Sequence, residues 1–123
     1  MKKKLVDNGF PADKIYCIPT FTASKSEVGE PQIGTYGLYF GRVTEEKGVD
    51  TVVRAYEQMP DKQLKIMGDD TTEEGERLKA YVKKKGLKNI DFLGFKSGTE
   101  LENVIKGARF TLIPSIWYDN LPN

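Results

Sequence analysis

Gly37-Leu38-Tyr39-Phe40-Gly41-Arg42-Val43-Thr44-Glu45-Glu46-Lys47-Gly48 is the stretch that decides the fold. A short apolar run ends in glycine and gives way to a polar loop closed by a second glycine. Immediately after it, Val49, Val52, Val53, Tyr56 and Met59 recur at i, i+3, i+4, i+7 and i+10, the stripe of an amphipathic helix. Pro60-Asp61 closes that helix. The unit is therefore strand, loop and helix, in that order.

The same unit repeats downstream. Gln63-Leu64-Lys65-Ile66-Met67-Gly68 reads as a second strand running into the turn Gly68-Asp69-Asp70. Thr71 and Glu74 have capping-box spacing ahead of a helix with Leu78, Tyr81 and Val82, and Gly86 is its stop. Asn89 to Gly94 is the third strand. Ser97 and Glu100 form another capping box, followed by Leu101, Val104, Ile105 and Ala108 on one helical face. Arg109 to Pro114 is the fourth strand. Strands that alternate with helices imply βαβ units, a parallel sheet and right-handed crossovers. Apolar residues on both faces of each strand fit burial between two helix layers.

The expected fold class is α/β, a doubly wound (Rossmann-like) parallel sheet. In the strand order 3-2-1-4, the first and fourth strands are neighbours whose following helices leave on opposite faces. A ligand crevice opens outside their carboxyl ends. The segments that border it are Arg42 to Gly48 and Ser115 to Asn123.

Residues 1–36 have another character. Lys3 to Gly9 reads as the end of a helix stopped by Asn8-Gly9, and Asp13 to Pro19 as a short strand. Thr20 to Tyr36 is rich in Ser, Thr, Gly and Pro, which is linker composition. The expected division is thus residues 1–36, then a sheet domain over 37–123.

Bulk properties narrow the function classes. With 38% hydrophobic and 30% charged residues, the 123-residue chain suits one soluble globular domain. Nothing approaches the roughly 20 apolar residues that cross a bilayer, and no secretory leader is visible. A net charge of +1 calls for no nucleic-acid partner. Lys83, Lys84 and Lys85 read as a solvated helix end. The single cysteine, Cys17, rules out an intrachain disulfide and reads as a strand residue. The chain has no histidine, which removes His-based triads and most zinc sites; no metal site is expected.

Two segments carry a resemblance: Gly41-Arg42-x4-Lys47-Gly48, and Pro114-Ser115-Ile116-Trp117-Tyr118-Asp119-Asn120-Leu121-Pro122. With Asn89-Ile90-Asp91-Phe92-Leu93-Gly94-Phe95 between them, they resemble the donor-nucleotide site of retaining GT-B glycosyltransferases of family 4, the glycosyl transferases group 1. The resemblance implies an incomplete C-terminal domain of such an enzyme, preceded at 1–36 by the tail of the acceptor-side domain and the interdomain connection. It departs from the family at Pro19-Thr20-Phe21-Thr22, where a Pro-Asn-Gly-[Ile/Val]-Asp run is usual.

What the resemblance implies about chemistry is specific. A UDP- or GDP-linked sugar is the donor, a glycan or lipid-linked molecule the acceptor, and no metal or cofactor is needed. Arg42 and Lys47 would stabilise the departing diphosphate, a task that fixed cations suit. Asp119 would orient the donor sugar, standing where the family more often has the first Glu of Glu-x7-Glu; the second, ribose-binding Glu would fall after Asn123. Gly41, Gly68, Ser115, Asn120, Leu121 and Pro122 would approach the donor through backbone, the last three where a helix N-terminus favours phosphate. Gly68-Asp69-Asp70 stands where the family has a Gly-x-Gly-Pro-like turn, without the second Gly or the Pro. Phe95 could stack on the base, with Lys96 or Ser97 reading its edge. A cytoplasmic enzyme of surface polysaccharide or glycolipid synthesis is implied, peripheral to the inner face of the membrane when intact. This chain alone is expected to be inactive and prone to self-association through the fourth strand.

The residues taken by themselves leave other readings open. Arg42 and Lys47 also read as solvated loop charges, Lys47 pairing with Glu45 or Glu46. Asp119 also reads as an N-cap, Trp117-Tyr118 and Phe95 as core aromatics, and Ser97 as an N-cap. A non-catalytic nucleotide-binding or interaction module on the same half-sheet is the rival function. A flavodoxin-like receiver is disfavoured, because the first strand ends in Gly41-Arg42 and lacks an acidic cluster.

Overall fold

The computed structural model of the chain describes residues 2–16 and 33–117. Four strands, β1 (Tyr36–Phe40), β2 (Gln63–Met67), β3 (Ile90–Gly94) and β4 (Ala108–Leu112), form one sheet in the order β3-β2-β1-β4. Every pairing is parallel, with Leu38 opposite Lys65 and Thr111. The fold is the expected doubly wound α/β arrangement, with the chain reversing its direction of travel between β1 and β4.

Helix α2 (Val49–Glu57) turns Val49, Val52, Val53 and Tyr56 inward, as the 3.6-residue period requires. With Leu78 and Val82 of α3 (Glu73–Lys85), they close over Tyr39, Leu64, Ile66 and Ile90 of the sheet. Leu64 and Ile66 are fully buried, so truncating either to Ala would cost about 2–5 kcal/mol. Helix α4 (Gly98–Lys106) packs on the opposite face, where the Tyr36 hydroxyl donates to the Val104 carbonyl at 2.7 Å. Right-handed crossovers place α2 and α3 on one side and α4 on the other.

Buried polar groups are satisfied. The Asn89 amide donates to the carbonyls of Tyr56, Met59 and Lys62, stitching the end of α2 and its turn to the start of β3. Asp70 is buried against Lys79, whose Nζ lies 3.0 Å away. Gly86 takes the left-handed conformation past the end of α3, and Lys85 of the basic last turn pairs with Glu57 at 3.1 Å.

Several expectations are corrected. The α3 cap is Thr72, not Thr71: its hydroxyl accepts from Gly75 N–H, while Thr71 instead donates to the Asp69 carboxylate. Ser97 precedes α4 in extended geometry but makes no side-chain cap bond. Residues 12–14 form one 3₁₀ turn and residues 15–16 no strand, so the described part of the expected strand at 13–19 is absent. The helix read at Lys3 to Gly9 is α1 (Lys2–Asp7), with Gly9 at φ +88° beyond it. Met59 is exposed, because α2 ends at Glu57 and its stripe ends with it.

The fourth strand, expected to carry a bare apolar face, is β4: Phe110 in it is 50% exposed, and Ile113 just beyond it 65%. Among the described residues this strand lies at the edge of the sheet, paired with β1 alone. Cys17 lies outside the described residues.

Candidate functional site

Each strand ends in a loop at the same rim of the sheet, and the first three loops are locked together by backbone bonds. Gly41 N–H donates to Met67 O at 2.9 Å, Gly68 N–H to Gly94 O at 2.9 Å, and Val43 N–H to Asp69 O at 2.9 Å. The Thr72 hydroxyl, which caps α3, also donates to the Val43 carbonyl. Gly68, at φ +139°, lies so close to the first loop that a Cβ would run into the Gly41 carbonyl. Glycine is required there by both dihedral and space.

These loops enclose a cleft of about 580 Å³. Phe40, Met67, Phe95 and Leu101 form its apolar walls, Gly41 and Gly68 its backbone floor, and Arg42, Asp69 and Lys96 its charged residues. Phe95 is 77% exposed, so it is a wall of the cleft and not a core aromatic. The Arg42 side chain is exposed and makes no ion pair or hydrogen bond among the described residues. Arg54 and Arg77, by contrast, are tied into a network with Asp50 and Glu74.

The Arg42 backbone is held from beneath. The Tyr39 hydroxyl, buried in the core, donates to the Arg42 carbonyl at 2.7 Å. Burial pushes the Tyr39 phenol up to about 12, with the Glu46 charge adding and Arg42 opposing. Asp69 is equally fixed: Thr71 donates to its Oδ1 through Oγ1 at 2.8 Å and through N–H at 3.2 Å. Those two bonds, with the charges of Arg42 and Lys79, hold its carboxyl below the usual carboxylate range.

The segment after β4 meets the loop after β1. Ile116 N–H donates to Glu46 O at 3.1 Å, and a Cβ on Gly48 (φ +67°) would strike the Pro114 carbonyl. Lys47 Nζ stands 5.6 Å from the centre of the Trp117 ring, a cation–π contact. Trp117 is therefore a half-exposed partner of Lys47 and not a core aromatic. The Glu46 carboxyl is held low by its own backbone N–H and by the Thr44 hydroxyl, with Arg42 and Lys47 contributing. Both cations thus act on one carboxylate between them.

The structure brings together Gly41, Arg42, Gly68 and Phe95 in one cleft, and sets Lys47 and the half-buried Ser115 at its neighbouring segment pair. Ser97 is exposed and does not line the cleft. Asp119, Asn120, Leu121 and Pro122 lie outside the described residues. Sequence reasoning overlooked Tyr39 and Asp69. Asp69 had a signal, a carboxylate in the turn after a strand; Tyr39 had none, because its role depends on a contact with a backbone carbonyl. No group of three or more metal-ligating side chains occurs among the described residues.

A second cleft, about 640 Å³, opens on the α2 and α3 side between Thr44, Glu45, Thr72, Glu73 and Ile116. Its inner charges are mutually satisfied. Burial alone would raise the Asp50 carboxyl, but hydrogen bonds from Arg54 and Arg77 outweigh it and hold it low.

The doubly wound parallel sheet defines the class: a Rossmann-like α/β domain. The chain belongs to the family of glycosyl transferases group 1, whose model matches residues 21–122. Among solved structures, it is similar to the apo form of the lipopolysaccharide outer core galactosyltransferase WaaB, at 23% identity and a TM-score of 0.59. That match covers 93% of this chain and 34% of the other, so the chain spans about a third of that protein's length. At this identity the likeness shows the fold. No curated protein sequence matches the chain. Among the described residues, no helix is long and apolar enough to cross a membrane.

Proposed function

We propose that this chain forms the donor-binding side of a retaining glycosyltransferase that uses a nucleotide-diphosphate sugar. The observation that carries the reading is Arg42: a guanidinium without a partner among the described residues, anchored through its carbonyl, at the cleft beyond the carboxyl ends of β1 and β2. An arginine fork in that position suits phosphate oxygens, and open α/β sheets bind ligands at that rim. Lys47, held five residues away against Trp117, supplies the second cation. Together they offset the charge that builds on the nucleoside diphosphate as the sugar departs. Asp119 orients the donor sugar, and the backbone of Asn120, Leu121 and Pro122 approaches the phosphates.

The acceptor, a glycan or lipid-linked glycan of a surface polysaccharide or glycolipid, binds a domain outside this chain. The intact enzyme works in the cytoplasm, at or near the inner face of the membrane. The chain alone binds donor and transfers nothing; sugar transfer by the purified chain to a glycan acceptor would refute that part.

Amide NMR with UDP, GDP and ADP tests the reading. Shifts confined to residues 41–48, 68–69, 94–97 and 115–123 with at least one nucleotide are expected. A dispersed spectrum that none of the three perturbs at millimolar concentration would favour a non-catalytic interaction module instead.

A further inference from the structure

The cleft beside Arg42 has a composition that selects among nucleobases. Four apolar walls, Phe40, Met67, Phe95 and Leu101, suit a flat ring, and two opposite charges, Asp69 and Lys96, share its lining. Asp69 is held at three points: its carbonyl accepts from Val43 N–H, and its Oδ1 accepts twice from Thr71. Its Oδ2 has no hydrogen bond among the described residues and stays open to accept. Lys96 is held only loosely, with Nζ 3.7 Å from Glu100 Oε2, so its ammonium is available to a ligand.

The bases differ in what they offer such a pair. Uracil sets one N–H between two carbonyls, whose lone pairs repel an approaching carboxylate. Adenine and cytosine set one amino group beside a ring nitrogen that only accepts. Guanine alone places two donors, N1–H and N2–H, side by side, with the O6 acceptor next to them. Resting on the reading of this cleft as a donor-nucleotide site, we infer that it selects guanine, with the open Oδ2 of Asp69 accepting from N1–H and N2–H and Lys96 donating to O6. The donor class is then a GDP-linked sugar. Phe95 stacks on the ring, and the ribose leads the diphosphate towards Arg42.

Calorimetric titration of the chain with GDP, UDP, ADP and inosine diphosphate decides the matter. GDP should bind about tenfold more tightly than UDP, the discrimination one well-placed pair of hydrogen bonds supplies. Inosine diphosphate lacks only the N2 amino group and should fall between them. Asp69→Asn should lower GDP affinity and erase its advantage over UDP, without weakening UDP. UDP binding as tightly as GDP would overturn the guanine assignment alone, and so would an equal loss for every nucleotide in Asp69→Asn, which would place the carboxylate on the ribose. No binding by any of the four would overturn the donor-site reading and this one with it. The comparison of GDP with inosine diphosphate uses the unaltered chain, so it stands even if Asp69→Asn folds poorly.

Discussion

Ile116 N–H donates to the Glu46 carbonyl at 3.1 Å, tying the segment after β4 to the loop after β1. The bond joins the two stretches that flank the point where the doubly wound sheet changes direction. It leaves no slack between them: the adjoining Gly48 has no room for a Cβ beneath Pro114. Lys47 and Trp117, one residue further along each segment, meet as cation and ring. The candidate donor site is therefore built from chain ends that are fixed to each other before any ligand arrives.

Gly48→Ala should break that junction. The left-handed φ of +67° and the Pro114 carbonyl both oppose a side chain. A strained residue of this kind costs on the order of 1–3 kcal/mol. Urea unfolding should show the midpoint falling by that equivalent, and nucleotide shifts at residues 41–48 should weaken with it. An unchanged midpoint would mean the junction yields easily.

Arg42→Ala should separate binding from stability. The side chain is exposed and unpaired among the described residues, so its removal should leave the melting temperature within about 3 °C, the scale of surface changes. Nucleoside diphosphate affinity should fall about tenfold or more, as expected when a charge-assisted bond of roughly 1.5–3 kcal/mol is lost. Arg42→Lys should restore little, because an ammonium cannot present the planar fork. Calorimetry that finds wild-type affinity in Arg42→Ala would remove this residue from the site.

Tyr39 predicts an alkaline limit. Its phenol is raised from 10.0 to about 12, so the unfolded chain ionises while the folded one does not. Its contribution is intact below pH 10 and is lost as pH rises from 10 to 12. Ionisation would also remove the proton donated to the Arg42 carbonyl. Tyr39→Phe should flatten the fall in denaturant midpoint across that range, at a cost of about 1 kcal/mol near neutrality. Equal slopes for the two proteins would locate the alkaline sensitivity elsewhere.

Asn89→Ala should be among the costlier single changes outside the apolar core. One buried amide serves three carbonyls, and its loss leaves them without that donor. Unsatisfied buried groups cost about 1–3 kcal/mol each, so a loss of roughly 2 kcal/mol or more is expected in chemical unfolding. A loss below about 0.5 kcal/mol would mean that water replaces the amide.

The β4 edge should promote association. Phe110, Ile113 and Ile116 are exposed apolar groups in or beside an edge strand, and such edges template pairing with other chains. Light scattering should show mass rising with concentration, and Phe110→Lys should suppress it. A clean monomer at high concentration would contradict this expectation.

Much of the architecture was legible in the chain because local rules and burial agreed. The Val49, Val52, Val53 and Tyr56 stripe gave α2, Gly86 gave the end of α3, and the glycines after β1, β2 and β3 marked the turns. The order 3-2-1-4 expected of a doubly wound sheet is the order observed. Within the site, Gly41, Arg42, Gly68 and Phe95 were legible because they occupy loops fixed by strand ends, and the cleft unites them. Ser97 was misjudged: its spacing to Glu100 fits a capping box, but the extended backbone ahead of Gly98 makes no side-chain cap bond.

The sequence by itself determined the elements, their parallel arrangement and the rim at which their loops gather, since periodicity, capping residues and chirality act locally and have few solutions. Tertiary structure alone fixed which residues at β4 are exposed, Phe110 and Ile113 among them, because an apolar pattern states only what a strand can bury. It alone decided that Thr72 rather than Thr71 caps α3, a choice fixed by the Val43 carbonyl and the Asp69 carboxylate. It alone joined Tyr39 to Arg42 and Ile116 to Glu46. Those contacts depend on where backbone carbonyls come to rest, and carbonyls are the same at every residue, so no pattern of side chains announces them.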